Sequence, residues 1–137
     1  MLRDMRLALL LGTSLLGLSV GLGCAPEIGD DCSASVDCSV SGDRICDRSI
    51  PGSGGYCTIK GCRAGTCPDS AVCVEFRSEP SRLASTWCMA PCSGNGDCRT
   101  GNGFYCVSSE ELGEEGFARV LDASDKRFCA AVPATSP

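Results

Sequence analysis

Thirteen cysteines and no histidine among 137 residues define the chemistry open to this chain. A cysteine sulfur can close a bridge, carry a lipid as a thioether, bind a soft metal as thiolate, or attack a carbonyl once a base activates it. Without His, the commonest base, proton shuttle and imidazole metal ligand are missing. A Ser-Lys pair would need Lys60 or Lys126, the only lysines, and neither lies in a Ser-x-x-Lys setting. No CxxC occurs, and the tightest pair, Cys88 and Cys92, encloses three residues, so the thiol oxidoreductase and zinc ribbon motifs are absent. The sequence is read as non-enzymatic, with no catalytic residue, cofactor or metal site. Seventeen acidic residues against twelve basic ones, with no basic cluster, leave no electrostatic footprint for nucleic acid.

The amino terminus reads as an address. Arg3 and Arg6 precede the uncharged run 7–20 (LALLLGTSLLGLSV), and Gly21 and Gly23 stand just before Cys24. This is the layout of a signal peptide covering residues 1–23. As a helix the run would rise about 21 Å, short of the roughly 30 Å hydrocarbon core, so a permanent span fits less well. Gly23 and Cys24 resemble the end of the lipobox in bacterial lipoprotein precursors, although Gly21 and Leu22 stand where such boxes usually carry Leu and then Ala or Ser. The resemblance covers only the first 24 or so residues. It implies cleavage before Cys24, a diacylglycerol thioether on its sulfur, the membrane as partner, and a cell-envelope location, with no activity attached. Parity points the same way: thirteen Cys cannot all pair within one chain, and setting Cys24 aside leaves twelve. The alternative is ordinary signal cleavage, leaving Cys24 free or in an intermolecular bridge of a secreted protein.

From Cys24 onward, Leu, Ile, Val and Phe make up only about 16% of residues, below the roughly 20% at which charged chains stop folding on apolar burial alone. The twelve remaining Cys are about 11% of that stretch, above the level that marks a disulfide scaffold. Cys32, Cys38, Cys46, Cys57, Cys62, Cys67, Cys73, Cys88, Cys92, Cys98, Cys106 and Cys129 are therefore expected in bridges that stand in for a large core. Such bridges persist after export.

The cysteine spacing organises the elements that must hold these sulfurs. Cys32, Cys38 and Cys46 recur at an offset of 60 as Cys92, Cys98 and Cys106; Ser33 and Ser93 follow the first Cys, and Asp37 and Asp97 precede the second. Two related modules, 32–61 and 92–137, joined by a third Cys-rich segment, 62–91, follow from this repetition, with 24–31 as a short tether. Segment 44–50, a Gly-rich turn and 56–59 read as a hairpin, and Gly101, Asn102 and Gly103 read as a turn feeding 104–107. Segments 71–76 (AVCVEF) and 85–89 (STWCM) can pair around a loop, with Phe76 and Trp87 as packing material. Ser108 and Glu111 have capping-box spacing, and Phe117, Val120 and Leu121 recur at helical intervals, so a helix of one or two turns is expected around 114–123. Glu110, Glu111, Glu114 and Glu115 lack the alternation of a calcium loop and read as a solvated face.

The stretch CSGNGDCRTGNGFYC resembles the cysteine-rich repeats of the Dickkopf amino-terminal type over about fifteen residues per copy. What this implies is a compact extracellular disulfide knot, and no ligand is carried over. Twelve Cys allow roughly ten thousand pairings; if three quartets close locally, 32–57, 62–88 and 92–129, each retains three connectivities. The expected fold is small and disulfide-rich, built of short β-hairpins and loops with little helix. The expected role is binding or structural, with no particular protein partner named. A protease inhibitor presenting the loop from Val74 to Trp87, with Arg77 or Arg82 exposed, is the alternative from another class, followed by a thiolate metal-binding protein.

Overall fold

Runs of β-branched and aromatic residues interrupted every few positions by Gly, Pro, Ser and Asp can form strands, but only short ones. The computed structural model describes residues 25–49, 53–76, 82, 84–112, 117–123 and 125–131. Cys24 and the rest of the amino-terminal segment lie outside them. One helical turn, α1 (Ser35–Cys38), is followed by β1 (Ile45–Asp47), β2 (Tyr56–Thr58), β3 (Val72–Phe76), β4 (Ser85–Met89), β5 (Pro91–Cys92), β6 (Phe104–Val107), β7 (Ala118–Val120) and β8 (Arg127–Ala131). The protein is a small disulfide-rich fold of antiparallel strands with little helix. Among the described residues no helix is long and apolar enough to cross a membrane.

The strands form three sheets in the orders β1-β2, β4-β3-β7 and β5-β8-β6. The β3-β4 hairpin has the pairing expected from sequence, with Cys73 opposite Cys88 and Val74 opposite Trp87. β1 and β2 form the hairpin across the Gly-rich turn, with Cys46 opposite Cys57. Beyond β2 the chain continues onto β4, where Cys88 N–H donates to the Ile59 carbonyl and Gly61 N–H to that of Thr86. The turn at Gly103, which has φ +84°, does feed β6, but β6 pairs with the distant β8 rather than with a neighbouring strand.

The expected helix around 114–123 is corrected to a strand over its described part. β7 pairs with β3, and Ala118 and Val120 are buried while Arg119 between them is exposed. That is an alternation of period two, and Gly113 and Gly116 weaken the competing helix. The Ser108–Glu111 spacing still gives its reciprocal bonds: Ser108 N–H reaches Glu111 Oε2 at 2.7 Å and Glu111 N–H reaches Ser108 Oγ at 3.3 Å. They close a turn rather than starting a helix.

All twelve Cys from Cys32 onward are bridged, and every bridge stays within its quartet. The pairs are Cys32–Cys46, Cys38–Cys57, Cys62–Cys73, Cys67–Cys88, Cys92–Cys106 and Cys98–Cys129. In each quartet the first Cys meets the third and the second meets the fourth. The Asp before the second Cys has the same task in the outer quartets. Asp37 Oδ2 accepts from the Ser33 and Ala34 amides, and Asp97 Oδ2 accepts from those of Ser93 and Gly94. The two amide donors hold the Asp37 carboxyl below its ordinary range.

The quartets are not separate beads. One apolar cluster takes Ile28 and Tyr56 from the first part of the chain, Val72, Val74 and Met89 from the middle, and Phe104, Val120 and Phe128 from the last. The segment expected as a tether belongs to it, because Ile28 is buried, Gly29 N–H donates to the Cys57 carbonyl, and Cys57 N–H donates to that of Asp30. An Arg44 guanidinium nitrogen donates to the Pro26 carbonyl.

Candidate binding site

Strand alternation places aromatic side chains from all three quartets around one hollow. In β2, Tyr56 and Thr58 share a face; in β4, Trp87 and Met89 share one; and β3 ends in Phe76. β6 contributes Phe104, and Phe117 stands just before β7. Together they line a cavity of about 230 Å³ whose lining also includes Asp47 and Ser49. Five of the chain's seven aromatic residues are therefore gathered at one place. Phe76 and Trp87 do pack against the apolar cluster, as expected from sequence, and they also form this wall.

The wall is held by contacts behind it. Tyr56 and Phe104 have ring centroids 4.9 Å apart, and Phe76 meets Phe117 edge-on at 6.4 Å. Arg99 stands behind the first pair, its guanidinium carbon 4.7 Å from the Phe104 centroid. It donates to the carbonyls of Gly29 (3.0 Å), Ser53 (3.2 Å) and Gly55 (2.6 Å), so one side chain of the last quartet clamps the amino-terminal segment and the β1-β2 turn. Lys60 Nζ lies 5.0 Å from the Trp87 centroid.

The polar groups of the wall are mostly spent inside the fold. The Tyr56 hydroxyl accepts from Ala90 N–H at 2.9 Å and donates to the Cys129 carbonyl at 3.3 Å, and burial pushes its phenol up to about 12. Thr58 Oγ1 donates to the Cys88 carbonyl at 2.8 Å, and Trp87 Nε1 donates to Ser85 Oγ at 2.8 Å. Asp47 Oδ1 accepts from Ser49 N–H at 2.9 Å. Tyr56 stays neutral at physiological pH, which leaves Asp47 as the only charged residue lining the cavity among the described residues.

The other residues singled out from sequence are distributed elsewhere. Cys24 lies outside the described residues, as do Arg77, Glu114 and Glu115. Arg82 is exposed, and β3 and β4 hold the two ends of its loop. Glu111 is paired with Arg127 at 2.9 Å. Three sulfur trios, such as Cys32, Cys38 and Cys57, lie within 4.8 Å of one another because the two bridges of a quartet stack side by side. As cystines these sulfurs lack the thiolate that a soft metal requires.

The cavity itself was not anticipated from sequence. Its lining comes from positions up to 84 residues apart, Asp47 and Ala131, brought together by the pairing of β7 with β3 and of β8 with β6. No protein-family model, curated protein or solved structure matches the chain.

Proposed function

We propose that this is an exported, lipid-anchored binding protein of the cell envelope, non-enzymatic, whose crosslinked fold presents a preformed cavity. The observation that carries the reading is the cysteine count: six bridges use every Cys from Cys32 onward and leave Cys24 as the odd sulfur. Bridges at this density belong to an oxidising compartment. The signal-like residues 1–23 supply the route, and the sulfur of Cys24 supplies the anchor. The connecting Cys-rich segment, 62–91, shares the connectivity of the two related modules, which supports reading it as a third unit of the same kind.

Anchoring at Cys24 would leave little slack. Ala25 alone stands between it and Pro26, whose carbonyl Arg44 holds, so the folded part would rest against its membrane instead of hanging about 28 Å away on an extended spacer.

Intact mass of protein purified from the membrane fraction tests the reading. The expected species begins at Cys24, carries the mass of its acyl groups, takes up no alkylating reagent before reduction, and takes up twelve equivalents after it. An unacylated chain would end the anchor, and several free thiols in the native protein would end the crosslinked reading.

A further inference from the structure

We infer that the cavity takes a small organic ammonium ion, an aryl-alkyl amine in its protonated form, with its ring between Phe76, Trp87 and Phe117 and its ammonium on Asp47. This deepens the binding role proposed above and is independent of the anchor. At about 230 Å³ the hollow lies below the roughly 300 Å³ at which drug-sized sites begin, so the ligand is about one ring with a short chain.

Its chemistry follows by subtraction. The Tyr56 hydroxyl, Thr58 Oγ1 and Trp87 Nε1 are committed to internal partners, so these side chains offer a ligand only their apolar surface. What remains is the Ser49 hydroxyl and Asp47, the charged one of the two, with one oxygen held by the Ser49 amide and no ion pair among the described residues. An anionic ligand meets this charge unfavourably, and a neutral one can give it a hydrogen bond without balancing it. A cation gains a charge-assisted hydrogen bond to Asp47 and favourable contact with the aromatic rings that line the cavity. The cations behind the wall, Lys60 and Arg99, do not line the cavity, and Arg99 is occupied by three carbonyls. The larger hollow beside Arg127, about 500 Å³, also holds the carboxylates of Glu110 and Asp125 but has no aromatic residue in its lining, so it offers an aryl group no ring to pack on.

Trp87 is the only tryptophan, so its emission reports on this wall alone. The oxidised protein is titrated with phenethylammonium, 2-phenylethanol, phenylacetate and Nα-acetyl-lysine amide. Saturable change with phenethylammonium is expected at about tenfold lower concentration than with the alcohol, with the other two weaker still. Asp47→Asn, which can still accept from the Ser49 amide, should bring the amine to the level of the alcohol while leaving the unliganded emission unchanged. Equal binding of amine and alcohol by the wild-type protein would overturn the ammonium assignment yet keep the cavity as a site. Binding of the lysine amide as tight as phenethylammonium would overturn the aryl assignment. No response to any probe would overturn the cavity as a binding site altogether.

Discussion

Gly55→Ala destabilises the protein by more than about 3 kcal/mol and leaves part of the population without the Cys32–Cys46 bridge. Gly55 has φ +77°, and a Cβ there would run into the Cys32 carbonyl oxygen while lying 2.7 Å from Cys46 Sγ and 2.9 Å from Cys32 Sγ. The backbone at this point must pass directly over the bridge, because Arg99 holds the Gly55 carbonyl on one side and buried Tyr56 follows on the other. Left-handed backbone alone costs an alanine about 1–2 kcal/mol. Gly42 separates the two effects, since its φ is +81° and nothing lies within 4 Å of its would-be Cβ. Gly42→Ala should therefore show only the backbone cost. Urea unfolding of both variants, with mass analysis after alkylation, checks the pair. Equal losses at the two positions would mean that the crowding over the bridge is relieved without consequence.

Removing Cys98–Cys129 by paired alanine substitution costs about 4 kcal/mol, and removing Cys62–Cys73 in the same way costs about 3 kcal/mol. The two bridges close sequence separations of 31 and 11 residues, and the longer loop has more freedom to lose in the unfolded chain. Local setting does not separate the two, since each joins a buried Cys of a central strand, Cys129 in β8 or Cys73 in β3, to a Cys outside any strand, so the difference tests loop length. Chemical unfolding of the two double variants, each keeping its other five bridges, gives the order. A reversed order would show that native contacts around Cys62 and Cys73, not chain entropy, govern what a bridge is worth here.

Cysteine positions and turn residues carried most of the fold in readable form. The 60-residue offset grouped the outer Cys correctly, the β3-β4 hairpin followed from β-rich runs around Pro80, and Asp37 and Asp97 were marked by their place before the second Cys. Connectivity within a quartet was not legible, because sequence spacing ranks none of the three options above the others. The segment around Val120 was misread since Phe117, Val120 and Leu121 fit a helical period while the pairing partner that made it a strand lies more than forty residues earlier. Ile28 looked like part of a spacer, being one apolar residue among polar neighbours. Its burial is decided by Tyr56, Arg99 and Cys57, which hold the segment from three directions. The aromatic cavity was invisible for the same reason, as its members meet only through tertiary pairing.

The apolar cluster is real but small, and a core of this size supplies only a few kcal/mol. The central claim is that six bridges make up the difference, and thermal unfolding of the purified protein with and without dithiothreitol tests it most directly. Followed by far-ultraviolet circular dichroism and by Trp87 emission, the oxidised protein should melt cooperatively, while the reduced protein should lack its β signal and expose Trp87 already at room temperature. A reduced protein that keeps both signals and the same melting temperature would contradict the account.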